Sequence, residues 1–129
     1  MASIFTRIIN GELPSFKVDE DENHFAFLDI QPVSRGHVLV VPKKEVDYIF
    51  DLTDEELAEL MSFAKKVAAK IKSAIPCKRV SITVIGLEVP HAHVHLIPIS
   101  VMDDCNFSRP KLNPTQDELR QVAELIRSV

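Results

Sequence analysis

The sequence predicts a single α+β domain over residues 1–129, a meandering antiparallel sheet of about five strands packed against one long helix, with short helices near both ends. Three observations lead there. Residues 91–98, His-Ala-His-Val-His-Leu-Ile-Pro, alternate polar and apolar with the period of a strand. Residues 53–75 carry apolar groups at helical spacing behind a capping box. Short apolar runs elsewhere are divided by turn-forming residues, as the strands of an antiparallel sheet are.

Each element has its own reason. Ile4, Phe5 and Ile8 fall on one side of a helical turn that Asn10-Gly11 ends. After Leu13-Pro14, residues 16–19 read as an edge strand and Asp21-Glu22-Asn23 as a turn. Residues 24–28 read as a strand, with His24 exposed at its start. Asp29, ahead of Ile30-Gln31-Pro32, suits a turn because an aspartate bonds its own nearby backbone. Residues 37–42 are almost wholly apolar, which implies a central strand buried on both faces, entered through the turn Ser34-Arg35-Gly36. Thr53 and Glu56 form the capping box of the long helix. Leu57, Leu60, Met61, Ala64, Val67, Ala68, Ile71 and Ile75 are its apolar stripe, and it stops near Pro76. Met61 and Phe63 need no cofactor to explain them. Residues 79–85 form a strand antiparallel to the histidine strand, joined to it through Gly86-Leu87-Glu88. Residues 102–114 are irregular, and Thr115 with Glu118 opens a last helix through Leu119, Val122, Ala123 and Ile126.

Composition narrows the function classes. A hydrophobic content of 46%, with 26% charged residues, is that of a globular domain. The net charge of −4 argues against non-specific binding to nucleic acid or an acidic membrane. No apolar run approaches a membrane span, and Arg7, Asn10 and Glu12 occupy the region where a signal peptide needs its apolar core, so a cytoplasmic location is expected. Cys77 and Cys105 fit no CxxC pattern and are expected to be free thiols.

The histidine strand carries the chemistry. Alternation puts His91, His93 and His95 on one face at intervals of about 6.5 to 7 Å, with Ala92, Val94 and Leu96 on the other. Neighbouring imidazoles cannot all be protonated without repulsion, so their ring nitrogens stay available near pH 7. One reading is a satisfied polar face of a strand. A second is a transition-metal site, and a third is covalent catalysis in which one ring attacks an electrophile while its neighbours hold charged oxygens.

The stretch Val89-Pro90-His91-Ala92-His93-Val94-His95-Leu96-Ile97-Pro98 resembles the signature of the histidine triad (HIT) superfamily, in its nucleotide-binding, phosphoramidase-like branch. Two further blocks share the resemblance: Ile4-Phe5 through Ile8-Ile9 to Gly11-Glu12-Leu13-Pro14, and Ala26-Phe27-Leu28-Asp29-Ile30-Gln31-Pro32 followed by Gly36 to Lys44. It implies a HIT-like fold and a homodimer with joined sheets and helices at the interface. It also implies an enzyme that hydrolyses purine nucleotide conjugates, of AMP or GMP, through a nucleotidyl-histidine intermediate with no cofactor or metal. His93 is then the nucleophile, His91 and His95 stabilise and protonate around the phosphate, and His37 supports the triad by hydrogen bonding. Ile4, Phe5 and Ile8 wall the base, Asp29 holds the ribose hydroxyls, and Phe27 and Ile30 lie beside it. The alternatives are a metal-dependent hydrolase using the histidine row as ligands and a nucleotide sensor with little turnover.

Two departures from the family pattern matter. Leu87 stands where the family usually has a glutamine, in a loop that is shorter and less polar, so one donor to the developing charge is missing unless a backbone N–H or Glu88 through water replaces it. Ser3 and Thr6 stand where some bacterial relatives have zinc-binding cysteines, and Glu45 where they have a ligand histidine, so a structural zinc is not expected.

Overall fold

The computed structural model describes residues 2–129 and has five strands and three α-helices. In chain order these are α1 (Ile4–Ile9), β1 (Lys17–Glu20), β2 (His24–Leu28), β3 (Val38–Pro42), α2 (Asp54–Ala74), β4 (Arg79–Thr83), β5 (Val94–Ile99) and α3 (Gln116–Arg127). All neighbouring strands are antiparallel, in the order β1-β2-β3-β5-β4. The sheet therefore meanders only through its first three strands. After β3 the chain crosses through α2 to the far edge, lays down β4, and returns to insert β5 between β4 and β3. The histidine-bearing strand thus becomes internal, which the expected meander did not capture.

Alternation along the strands divides two apolar clusters. Ala26, Leu28, Val38, Val40, Val94 and Leu96 point to one face and are covered by Leu60, Ala64, Val67 and Ile71 of α2 and Leu119, Val122 and Ile126 of α3. Each buried Val, Leu or Ile among them contributes about 1.5–3 kcal/mol through burial. Phe25, Phe27, Leu39 and Val41 point to the other face, where Phe5 of α1 seals them. Thr53 caps α2 with a full capping box, accepting from Glu56 N–H at 3.1 Å while Glu56 accepts from Thr53 N–H at 2.9 Å. At α3 the box is incomplete: Thr115 Oγ1 accepts from Glu118 N–H at 3.1 Å, but the Glu118 carboxylate takes the Thr115 hydroxyl instead of its backbone N–H. Among the described residues, no helix is long and apolar enough to cross a membrane.

Two expectations need correction. His24 is buried, not exposed: it stacks on Phe63 with ring centroids 5.1 Å apart and its Nδ1 lies 2.9 Å from Asp21 Oδ1. The reason is pairing register, since His24 opposes Pro42 and so points with Ala26 and Leu28 toward α2. β5 begins at Val94, so His91, Ala92 and His93 lie in the irregular segment that leads into it. Their backbone groups go to loop residues: His91 N–H donates to Val89 C=O at 2.8 Å, and Ala92 N–H to Val46 C=O at 2.6 Å. Pairing with β3 stops at Val40 opposite Val94, although Val41 and Pro42 would oppose His93 and Ala92 in the same register.

Candidate active site

The face of the sheet occupied by α1 also carries the histidines. Because Val94 and Leu96 point toward α2, His93 and His95 point away from it, and His37, one residue before β3, reaches the same face. The turn that delivers His37 depends on Gly36, whose φ of +92° disfavours other residues; a Cβ there would lie 3.0 Å from Ile75 and 3.1 Å from Pro98. Phe5, His93, His95 and Phe107 then follow one another edge to face, each centroid 5.0 Å from the next.

Hydrogen bonding determines where the protons sit. Val33 N–H donates to His37 Nδ1 at 3.1 Å, so the His37 proton is on Nε2 and is donated to His95 Nδ1 at 2.9 Å. That leaves His95 with its proton on Nε2. His93 Nδ1 donates to the His91 carbonyl at 2.7 Å, leaving His93 Nε2 with a free lone pair. His91 Nε2 donates to the Pro42 carbonyl at 2.8 Å, and its Nδ1 accepts the Ser3 hydroxyl at 2.7 Å. Adjacent rings thus offer an unprotonated nitrogen on His93 and an N–H on His95, the pair that nucleophilic attack and oxyanion stabilisation require.

Burial favours the neutral form of His37, His95 and His91. It lowers His37 to about 3 and His95 to about 4, with the neighbouring imidazoles and Lys111 adding to the effect. His91 is lowered by burial as well, against the opposing pull of its bond to Pro42 and of Glu45. Asp29 behaves in the opposite way, since burial raises its carboxyl. Its Oδ1 accepts from Gln31 N–H at 2.9 Å, the expected turn bond, while Oδ2 lies 3.8 Å from His37 Nε2. The same residue therefore forms the turn and presents a second oxygen beside the histidine group.

The remaining candidates divide. Phe5 and Phe27 are buried and meet at 5.5 Å, with Ile8 packed against them, so they form one apolar floor beside His93. Ile4 and Ile30 are largely exposed and outside that cluster. Leu87 is 88% exposed and lines, with His93, Phe50, Tyr48 and Met61, a cavity of about 490 Å³. Glu88 is also exposed.

Ser3, Thr6, Glu45 and His91 converge. Glu45 Oε1 accepts both the Ser3 N–H and the Thr6 hydroxyl at 2.6 Å, and these bonds hold its carboxyl down to about 2. Two hydroxyls, a carboxylate already doubly bonded and an imidazole whose free nitrogen is occupied by Ser3 do not fit a structural zinc. Asp29, His37 and His95 have ligand atoms within 4.8 Å of one another. The proton held between His37 Nε2 and His95 Nδ1 would have to leave before a cation could bind there. Sequence reasoning missed Ser3 as the partner of His91, and it left the role of residues 102–112 open. The signal for the first was a serine at a helix N-cap; for the second, a lone aromatic, Phe107, four residues before Lys111.

A small α+β domain presenting hydrogen-bonded imidazoles from its two central strands is the architecture of the histidine triad proteins. The chain belongs to that family: residues 10–101 match the HIT domain model. Over 98 residues it is 41% identical to the adenosine 5'-monophosphoramidase of Saccharomyces cerevisiae, a match covering 75% of this chain and 62% of the yeast protein. The chain thus spans less than two thirds of that relative. It is also 41% identical over 99 residues to an uncharacterized HIT-like protein of Methanocaldococcus jannaschii, covering 74% of this chain and 77% of that one. Among solved structures, a hypothetical histidine triad nucleotide-binding protein from Sulfolobus tokodaii superposes with a TM-score of 0.85 at 33% identity, covering 96% of this chain and 89% of that one. A zinc-bound histidine triad family protein from Mycobacterium smegmatis also gives 0.85, at 26% identity, covering 99% and 92%.

Proposed function

We propose that the protein is a nucleoside phosphoramidase or nucleotidyl hydrolase acting on purine nucleotide conjugates, of AMP or GMP, through a nucleotidyl-His93 intermediate. One observation carries the reading: His93 donates Nδ1–H to the His91 carbonyl and keeps Nε2 unprotonated beside the His95 N–H. In the first step Nε2 forms a bond to the α-phosphorus, the bond to the leaving group breaks, and the leaving group keeps the electron pair and takes a proton from solvent. The ring then carries a positive charge that the His91 carbonyl stabilises through the retained Nδ1–H. His95 offers its N–H to the phosphoryl oxygens; as a neutral ring it holds them without giving up its proton. In the second step water forms a bond to phosphorus and releases a proton to solvent, the P–N bond breaks with its electron pair returning to His93 Nε2, and the nucleoside monophosphate is released.

The relatives support the same chemistry, since one is named for adenosine monophosphoramidase activity. The apolar floor of Phe5, Phe27 and Ile8 suits a purine, and the second oxygen of Asp29 suits two ribose hydroxyls. Wild type is expected to hydrolyse adenosine 5'-phosphoramidate, and acid-quenched protein to carry an AMP mass increment on His93. Loss of both in His93→Ala supports the assignment. An adduct on His91 or His95, or full turnover by the variant, rejects it.

The homodimer that the family pattern implies is part of the same reading. β4 is an edge strand with Ile82 exposed, followed by exposed Val84 and Ile85, an arrangement that joining two sheets would cover. Sedimentation equilibrium decides it, with a single-chain mass at micromolar concentration as the contrary result.

A further inference from the structure

Of the five histidines, His24 alone has no place in the candidate active site. Its pairing with Pro42 turns the ring toward α2, on the side of the sheet opposite His93 and His95. The turn before β2 fixes that ring. Asp21 N–H donates to the His24 carbonyl at 3.0 Å, and Asp21 Oδ1 accepts the N–H groups of Asn23 at 2.9 Å and of His24 at 2.8 Å. An ionised carboxylate can only accept, so it takes His24 Nδ1–H at 2.9 Å and leaves the lone pair of the neutral ring on Nε2. Phe63 of α2 then stacks on the ring, with 5.1 Å between centroids and 21° between planes.

The His24 side chain is only 8% exposed, and its side-chain hydrogen bonds all go from Nδ1 to Asp21. Among the described residues no fully buried side-chain nitrogen is left without a partner, so Nε2 opens onto space and not onto protein. That space is two cavities, of about 640 and 260 Å³, and Asn23, His24 and Glu59 line both. Glu59 stands one helical turn before Phe63, a spacing that makes the two neighbours on one helix face, so it is placed beside the ring that Phe63 stacks on. Among the described residues Glu59 forms no ion pair. Two of the surrounding lysines are engaged elsewhere: Lys44 pairs with Glu56 at 2.8 Å, and Lys66 Nζ lies 5.5 Å from the Phe63 centroid, which leaves Lys65 as the third cation at the cavity wall.

We propose that His24 Nε2 and the Glu59 carboxylate bind a divalent transition-metal ion of the zinc class on the helix side of the sheet, with the Asn23 side-chain oxygen and water completing the shell. Imidazole nitrogen with carboxylate oxygen is a donor set that such ions accept. Asp21 stays in the outer shell, because its oxygens are taken by Nδ1–H and by the turn. There it fixes the tautomer and the ring orientation and makes Nε2 a stronger donor. The site is separate from the histidine array and does not depend on the nucleotidyl hydrolase reading.

Titration of the full chain with Zn²⁺, followed by NMR of the histidine ring nitrogens, tests the site because each imidazole is read separately. The His24 Nε2 signal is expected to shift saturably with one equivalent of Zn²⁺, together with the amides of Asn23 and Glu59, and to do so equally in His93→Ala. Glu59→Gln alters an exposed position and leaves the His24 ring in place, yet it should weaken Zn²⁺ binding at His24 at least about tenfold; Asp21→Asn, which acts only through the outer shell, should weaken it by about 10- to 100-fold. A His24 signal that stays fixed while His93 or His95 responds would overturn the proposal. So would a Zn²⁺ affinity at His24 that is the same in wild type and Glu59→Gln.

Discussion

On the nucleotidyl hydrolase reading, Leu87 is expected to limit the transition-state stabilisation that the histidine face supplies. The Leu87 side chain has no polar atom, yet it shares a cavity wall with His93 at the place where the family pattern has an amide. Loss of one donor to developing charge costs about 2.7–4 kcal/mol, a factor of about 10² to 10³ in rate. Leu87→Gln is therefore expected to raise kcat on adenosine 5'-phosphoramidate with little change in affinity for AMP. A wild-type kcat already at about ten per second or above would mean that the donor has been replaced. Asp29 is the residue-scale counterpart for binding. Removing its carboxylate in Asp29→Ala should weaken AMP binding by about 1.5–3 kcal/mol, read by calorimetry. Because burial raises its carboxyl, wild-type affinity should also begin to fall at a pH above the ordinary aspartate range, and that fall should vanish in the variant.

α1 is only six residues long, too short to persist alone, so its attachment matters more than its propensity. Ser3 supplies that attachment twice: its hydroxyl oxygen caps the helix by accepting Thr6 N–H at 3.0 Å, and its proton goes to buried His91. Ser3→Ala removes the cap and leaves His91 Nδ1 without a donor, which together cost about 2–4 kcal/mol. Chemical denaturation measures that loss, and Ser3→Thr should restore most of it. A loss below about 0.5 kcal/mol would show that Thr6 had taken over the bond. The strand elements explain why His24 and the triad diverge in role. Pairing with β3 turns His24 into the helix-side core, so the histidine that looked exposed stacks on Phe63 and stays out of the site.

For the whole molecule, the buried neutral histidines link stability to pH. His37 and His95 have folded-state values of about 3 and 4, below the unfolded value near 6.5. The unfolded chain thus binds more protons, and the stability from this pair is fully present above pH 6.5 and lost as pH falls toward 4 and 3. Asp29, shifted the other way, offsets part of the loss. The melting temperature should decline from pH 6.5 to 4.5, before most carboxylates titrate, and decline less steeply in His37→Gln. Parallel curves for the two proteins would exclude His37 as a source of the slope.

What the sequence by itself determined is the part governed by local rules. Period-two alternation separated His93 and His95 from Val94 and Leu96, helical spacing and the Thr53–Glu56 box outlined α2, and three ordered blocks identified the family. Tertiary structure decided what depends on residues distant along the chain. Strand order made β5 internal, and 88 positions separate Ser3 from the His91 nitrogen it occupies. The fold also brought Phe107 back against His95, with Lys111 over the Phe107 ring. Neither the direction of a loop's return nor the proton on a given ring nitrogen follows from spacing, because each is set by partners that only folding brings within hydrogen-bonding distance.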